Sequence, residues 1–102
     1  MVKWVKESRD NFNWTLNYCF ELCREYTYRY ERTHKGEGVA AWFKANPPQI
    51  SDVGLTNPPR CFGDFKDKIA VSNNIVVDYR EYYRVGKSHL FNWKGRERPN
   101  WL

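Results

Sequence analysis

The sequence predicts a mainly α-helical fold, a compact bundle of three to four helices with a long central loop that contains proline and glycine. Two segments carry apolar residues at helical spacing, and the stretch between them has no regular period. The length of 102 residues fits one small domain over residues 1–102. A chain of this size buries roughly 65 % of the surface that its unfolded form exposes, which is enough for a single core.

The first long helix is predicted to begin at a cap formed by Ser8 or Asp10 and to end near Thr33. Residues at intervals of three and four define its apolar side: Phe12, Leu16, Cys19, Phe20, Cys23, Tyr26, Thr27 and Tyr30. At about 100° per residue, His34 falls on this apolar side, whereas Tyr28 falls on the polar side. Tyr28 is therefore expected to expose its ring.

A short second helix is predicted over residues 39–45, between two glycines and a pair of prolines, with Trp42 and Phe43 directed inward. Residues 46–70 have neither helical nor strand periodicity and are predicted to form a loop. A loop of this length in a small domain is usually functional or held by packed side chains. The candidates for such packing are Leu55, Phe62 and Phe65.

A third helix is predicted over residues 73–85, capped by Ser72 and ended by Gly86. Residues 75–77 alone also suit a strand. The helix is favoured because it groups four residues on one side, which strand alternation does not: Ile75, Tyr79, Tyr82 and Tyr83. A further short helix is predicted over residues 88–93, followed by an extended basic segment with Trp101 packed back onto the body.

The charge is concentrated near one end of the chain. The net charge is +5 and the isoelectric point is about 9.2. Residues 79–102 contain six lysines and arginines against two glutamates, whereas residues 1–78 contain 11 against 10 acidic residues. A basic cluster raises the local concentration of phosphates and carboxylates, so an anionic partner is predicted. A general contribution to solubility is the alternative.

Tyrosine and arginine alternate in two segments, residues 25–30 and 78–84, and lysines follow each of them. Arginine grips phosphates and aromatic rings stack on bases, so the pattern predicts a surface for a nucleotide or a nucleic acid. The predicted ligand-binding residues are Tyr28, Arg29, His34, Lys35, Arg80, Tyr83, Arg84 and Lys87. Three of these, Arg80, Arg84 and Lys87, are spaced to form a stripe along the third helix.

Structural roles are the alternative for several of these side chains. Four tyrosines are expected to be core rings whose hydroxyls bond the backbone: Tyr26, Tyr30, Tyr79 and Tyr82. The position of His34 on an apolar face favours a satisfied core histidine over a catalytic one. Glu25 precedes Arg29 by four residues, the spacing of an ion pair that supports a helix.

No cofactor, no metal site and no catalytic residue is predicted. The odd set of three cysteines, with no leader before it, suggests a reducing cytosol, and no apolar run approaches the ~20 residues of a membrane span. Cys19 and Cys23 share a helix face and could join His34 or His89 around a metal. Buried free cysteine is the more common outcome of this pattern.

Two other function classes remain open at this point. An enzymatic interpretation pairs His34 with Glu25 or Glu37 as a base near a phosphate pocket, as in a small nucleic-acid-processing enzyme. The sequence has no Gly-rich phosphate loop and no nucleophile elbow to support it. The other class is an inhibitor that binds a host protein directly, since tyrosine, tryptophan and arginine are also enriched at protein interfaces.

The sequence resembles a group of small proteins encoded by bacteriophages. The resemblance covers nearly the whole chain and is carried by residues 4–8, 11–14, 25–30, 34–35, 55–59, 78–83, 87, 93–94 and 98–101. It implies a role in countering host defence from the host cytoplasm. Longer members carry an extra segment before the region of Trp4, which implies a shortened version here and self-association that covers the first helix. The relatives are expected to have glycine where this chain has Glu31.

Overall fold

The computed structural model describes residues 2–102, and this part of the chain is mainly helical with no strand. It contains four α-helices and two 3₁₀ helices: α1 (Val2–Glu7), α2 (Arg9–Tyr30), α3 (Gly36–Ala45), a first 3₁₀ helix (Gly63–Lys68), α4 (Ile75–Gly86) and a second 3₁₀ helix (Ser88–Leu90). The chain divides into two compact units, Met1–Thr56 (the first unit) and Asn57–Leu102 (the second unit). We describe each unit by itself, and the single domain stays a prediction.

Ser8 separates α1 from α2 and caps α2, which confirms one of the two predicted caps. Its backbone is extended, and its hydroxyl accepts the Asp10 N–H at 3.2 Å while donating to the Gly54 carbonyl at 2.7 Å. Helix α1 was not predicted, because six residues are too few to display a periodic pattern. Trp4 is its buried residue.

Helix α2 ends at Tyr30, three residues earlier than predicted, because Glu31 adopts the left-handed conformation with φ of 54°. The Glu31 N–H still donates to the Thr27 carbonyl at 2.9 Å, which closes the last turn. Left-handed backbone at this position strongly favours glycine, since a side chain costs energy there. A glycine at this position would fit the same geometry without a side chain.

The inward direction predicted for Trp42 and Phe43 is wrong. These rings are 59 % and 39 % exposed, and the buried residue of α3 is Ala40. Helix α3 packs against α2, and a small side chain at such a contact lets two helices approach closely. Phe43 makes edge contacts with the rings of Phe12 and Trp42, at 6.1 and 5.2 Å between centroids.

The apolar side predicted for α2 is only partly enclosed. Cys23 is buried, whereas Cys19, Thr27 and Tyr30 are exposed, so the core role expected for these three is wrong. The remaining predicted core residues are half-buried: Phe12, Leu16, Phe20 and Tyr26. A polar residue outside the prediction, Asn11, is fully buried.

The second unit builds its core between α4 and the segment before it. Phe62 is buried, and its ring lies 5.0 Å from Tyr79 and 5.1 Å from Tyr82. Gly86 lies so close to Phe65 that an added Cβ would come within 3.0 Å of that ring. The first 3₁₀ helix lies within the predicted 46–70 loop, where Phe62 is packed as expected but Leu55 is exposed.

Helix α4 confirms the helical alternative for residues 75–77, although its cap differs from the prediction. Asn74 caps the helix by accepting the N–H groups of Val76 and Val77 at 3.0 and 3.3 Å. Ser72 instead bonds a carboxylate one turn into the helix, that of Asp78. Asparagine and serine are similarly good caps, so the local pattern did not distinguish them.

Candidate functional site

The eight predicted ligand-binding residues fall into two groups of four. Tyr28, Arg29, His34 and Lys35 belong to the first unit, and the group on α4 belongs to the second unit. The second group consists of Arg80, Tyr83, Arg84 and Lys87, which together with Trp101 we call the α4 surface. The second unit is also the more basic, with nine lysines and arginines against five acidic residues, compared with eight against seven in the first.

Arg84 is held by Trp101 and Glu81. Its Nε and Nη2 donate to the Trp101 carbonyl at 2.9 and 2.6 Å, and its Nη1 pairs with a Glu81 carboxylate oxygen at 2.6 Å. The predicted packing of Trp101 back onto the body is thus confirmed within the second unit. The guanidinium, with 43 % of the side chain exposed, is oriented before any ligand arrives.

Arg80 is the exposed cation of the α4 surface that has no carboxylate partner among residues 2–102. Its guanidinium lies 5.2 Å from the centre of the Trp101 ring, and that of Arg84 lies 5.8 Å from the same ring. Both distances fall within the range of a cation–π interaction. Such stacking orients a guanidinium while leaving its N–H groups available for hydrogen bonds in the ring plane.

Lys87 and Tyr83 complete the α4 surface at the end of the helix. The Lys87 ammonium lies 5.7 Å from the centre of the Tyr82 ring, and the Tyr83 side chain is 41 % exposed. Phosphate oxygens bind arginine and lysine, and an exposed tyrosine ring offers a stacking face. The α4 surface therefore combines both kinds of contact that a phosphate-bearing aromatic ligand needs.

A buried ion pair anchors the opposite side of α4. Asp78 is 1 % exposed and accepts the Arg60 Nε at 2.6 Å, the Ser72 hydroxyl at 2.6 Å and the Ser72 N–H at 3.1 Å. The Ser72 hydroxyl, followed by the Arg60 guanidinium, lowers the pKa of Asp78 despite its burial. The carboxylate thus stays charged and fixes the start of α4 to the preceding segment.

Tyr79 adds a second anchor and fulfils the structural role predicted for it. Its hydroxyl donates to the Pro59 carbonyl at 2.6 Å and accepts the Cys61 N–H at 2.9 Å. Burial raises the pKa of this phenol. Together with Asp78, it turns the inner side of α4 away from solvent, which leaves Arg80, Tyr83 and Arg84 exposed.

In the first unit, two of the four predicted residues have internal roles. Arg29 pairs with Glu25 at 2.9 Å, the spacing that the sequence indicated. His34 is exposed rather than in the core, and its Nδ1 accepts the Gly36 N–H at 2.9 Å at the start of α3. In a neutral ring this bond assigns the proton to Nε2. Tyr28 is 51 % exposed, as predicted, and Lys35 is exposed.

The first unit also contains an apolar groove that the sequence did not indicate. Its volume is about 720 Å³, and it is lined by side chains of α1, α2, α3 and the stretch from Pro48 to Ile50. Lys6 is the charged residue among its described lining. The exposed residues Val39 and Phe43 belong to its walls.

A buried amide network holds the loop before Thr56 against α1 and α2. The Asn11 Nδ2 donates to the Trp4 carbonyl and to the Thr56 hydroxyl, each at 3.0 Å, and the Asn11 Oδ1 accepts the Thr56 N–H at 3.0 Å. The Trp4 indole N–H donates to the same hydroxyl at 2.9 Å. No charged group takes part in this network, which joins Trp4 of α1, Asn11 of α2 and Thr56.

Within residues 2–102, no group of three or more histidine, cysteine or acidic side chains is arranged to hold a metal ion. The three cysteines are free thiols, and Cys23 is the buried one. None of the helices in the described part of the chain combines the length and the apolar character needed to cross a bilayer.

Comparison with known proteins adds no relative: no family model matches the chain, and neither a curated protein nor a solved structure matches it. Sequence reasoning missed the ion pair of Arg60 with Asp78, because it treated Asp78 as part of an exposed tyrosine and arginine motif. The signal was present in the spacing, since Asp78 lies three residues after Ile75 and four before Tyr82.

Proposed function

We propose that the protein binds a phosphate-bearing ligand, a nucleotide or a nucleic acid, through the α4 surface. The observation that carries the proposal is Arg80, an exposed guanidinium with no carboxylate partner among the described residues, which lies over the Trp101 ring beside Arg84 at a cation–π distance. Lys87 and Tyr83 extend the surface with a second cation and a ring.

The geometry supports the second unit more strongly than the first. Arg29 is paired with Glu25 and His34 bonds the start of α3, so these side chains have structural tasks. The charge distribution agrees, because the second unit carries a net charge of +4 and the first a net charge of +1. Tyr28 and Lys35 remain proposed contacts for an extended ligand.

The test is binding of a short, fluorescein-labelled oligothymidylate at several salt concentrations, followed by fluorescence anisotropy. Affinity is expected to fall steeply between about 50 and 200 mM salt, since each phosphate contact contributes about 0.7 to the salt slope for a single strand. Arg80→Ala is expected to weaken binding roughly 5- to 10-fold, the loss of one charge-assisted contact.

The matched control is Lys66→Ala, which removes an exposed cation of the same unit that belongs to the first 3₁₀ helix and not to the α4 surface. Equal affinity of Arg80→Ala and the unaltered protein, with no salt dependence, would overturn the proposal. Mass spectrometry of molecules released on denaturing the purified protein would then name a copurifying ligand and distinguish a nucleotide from a polymer.

The phage setting, a role against host defence, action in the host cytoplasm and self-association rest on the phage resemblance alone. They are proposals that the α4 surface accommodates. A nucleotide that signals infection would present both a phosphate and a base to Arg80, Arg84 and Tyr83.

The apolar groove favours a second candidate, direct binding of a host protein. A groove walled by Val39 and Phe43 and flanked by the exposed Trp42 has the apolar, aromatic character of interface centres. Val39→Glu is expected to abolish such binding, whereas Ala41→Glu, an exposed neighbour on α3 outside the described lining, is expected to retain it. Equal binding by both variants would remove the groove from consideration.

A further inference from the structure

Arg84 already holds an oxygen in the place where a phosphate oxygen would bind. Two of its nitrogens, Nε and Nη2, converge on the Trp101 carbonyl at 2.9 and 2.6 Å. This edge of the guanidinium is the pair of donors that arginine commonly presents to a phosphate. The third nitrogen, Nη1, donates to Glu81. A ligand can therefore reach the edge formed by Nε and Nη2 only when the Trp101 carbonyl moves away from it.

The ring of the same residue occupies the stacking position. The Trp101 indole lies within 6 Å of both guanidinium groups, at 5.2 Å from Arg80 and 5.8 Å from Arg84. Nucleic-acid bases stack on arginine planes in the same way. One residue of the chain therefore makes the hydrogen bonds of a phosphate and the stacking contact of a base.

We propose that Trp101 is an internal competitor for the α4 surface, and that a phosphate-bearing ligand binds by displacing it. This inference rests on the proposed function and adds its regulation. In the closed state, Trp101 keeps Arg80 and Arg84 oriented and shields them from weak anions. A ligand that offers both a phosphate and a ring replaces both contacts at once.

The exchange is favourable for a charged ligand because the two acceptors differ. The Trp101 carbonyl is neutral, whereas a phosphate oxygen is charged, and charge-assisted hydrogen bonds are roughly twice as strong as neutral ones. The segment that carries Trp101 contains no helix or strand after the second 3₁₀ helix, and residues 91–102 include turns such as the Leu102 N–H bond to the Pro99 carbonyl at 3.2 Å.

Variants that remove the Trp101 contacts distinguish displacement by a ligand from a contact with a purely structural role. In the 102-residue chain, Trp101→Ala removes the ring, and a variant lacking residues 100–102 removes the ring and the carbonyl. If the closed state is populated at about 70–90 %, these variants should bind labelled oligothymidylate roughly 3- to 10-fold more tightly. Trp93→Ala, which removes a half-buried tryptophan that contacts Phe91, is the matched control.

A second measurement follows Trp101 in the unaltered protein and does not depend on the fold of a variant. The protein is labelled with 5-fluorotryptophan, the Trp101 fluorine resonance is assigned with Trp101→Phe, and oligothymidylate is added to saturation. The resonance is expected to move toward the position of a solvent-exposed tryptophan. The Trp93 resonance is expected to move less.

Three outcomes separate the inference from the proposed function. Tighter binding by both variants together with movement of the Trp101 resonance supports displacement. Equal or weaker binding by the variants, with an unmoved resonance, overturns displacement while the α4 surface keeps its ligand. No binding by the unaltered protein or by either variant overturns the proposed function, and the inference falls with it.

Discussion

The two units bury polar groups of different kinds. The first buries the neutral side chains Ser8 and Asn11, whereas the second buries the carboxylate of Asp78. A neutral network does not respond to pH, but a buried carboxylate contributes stability only while it is charged. The second unit is the more basic one, yet it directs the carboxylate of Asp78 inward against Arg60. The arginines of α4 lie on the outer side of the helix and are exposed.

The exposed surfaces of the two units also differ in polarity and charge. The first unit has an apolar groove and nearly balanced charge, and the second has an exposed arginine stacked on a tryptophan. Apolar grooves suit protein or apolar partners, whereas stacked arginines suit phosphates and bases. We therefore expect changes on the α4 surface to alter phosphate binding, and changes in the buried networks of either unit to alter stability.

The largest effect is expected from Asp78→Asn. The amide keeps the shape but removes the charge opposite Arg60, whose side chain is only 26 % exposed, and an unmatched buried charge is strongly destabilising. Residue-resolved hydrogen exchange should show faster exchange throughout α4 and a marked fall in melting temperature. Asp67→Asn, the same change at an exposed carboxylate in the first 3₁₀ helix, should leave both quantities nearly unaltered. Similar behaviour of the two variants would mean that the buried pair does not hold α4.

Acid is expected to act on the same group in the unaltered protein. The pKa of Asp78 is lower when folded than its ordinary value of 3.8, so its contribution is complete above pH 3.8 and is lost as pH falls through the lowered value. Amide exchange in α4 should therefore accelerate as pH falls below 3.8, relative to exchange in α3. Parallel behaviour of the two helices, or a loss that begins well above pH 3.8, would contradict the assignment.

A smaller loss is expected from Asn11→Ala in the first unit. The change leaves the Thr56 N–H and the Trp4 carbonyl without their partner, at a cost of about 2 kcal/mol in the free energy of unfolding. Denaturant titration measures it, and Asn13→Ala, an exposed asparagine on the same helix, is the control. Equal midpoints for the two variants would show that the network is dispensable.

The smallest effect is a gain, expected from Glu31→Gly. Glycine adopts φ of 54° without strain, so the free energy of unfolding should rise by roughly 0.5–1 kcal/mol. Glu31→Ala removes the same charge but keeps a side chain in the left-handed conformation, and it should bring no gain. If both variants behave alike, charge rather than backbone conformation governs the end of α2.

The sequence was sufficient for the helical class and for α4, because twelve residues with a clear inner side outweigh the β propensity of three. It also located the Ser8 cap, since a serine before an apolar periodic run has few other roles. The sequence did not predict the features that depend on tertiary contacts. The exposure of Trp42 depends on how α3 meets α2, and the partner of Asp78 lies 18 residues away at Arg60.

The candidate site was predicted as a list of residue types rather than as a geometry. Alternating tyrosine and arginine predicted that Arg80 and Arg84 share one side of a helix, and both are exposed on α4; their role in binding stays a prediction. The sequence had no means of indicating that Trp101 would contact both guanidinium groups, since no periodic pattern connects α4 with the segment that carries it. In the first unit, the spacing did indicate the ion pair of Arg29 with Glu25, whereas no pattern indicated the hydrogen bond of His34 with the Gly36 N–H.

The assignment of phosphate binding to the α4 surface is tested by two double variants that remove the same charge from different units. Arg80→Gln with Lys87→Gln neutralises the α4 surface, and Lys3→Gln with Arg32→Gln neutralises two exposed cations of the first unit. In oligothymidylate titrations at several salt concentrations, the first pair should weaken binding by at least about 10-fold and reduce the salt slope by about 1.4. The second pair should change affinity by no more than about 2-fold, the effect of distant screened charges. An equal or larger loss in the second pair would contradict the assignment of binding to the α4 surface.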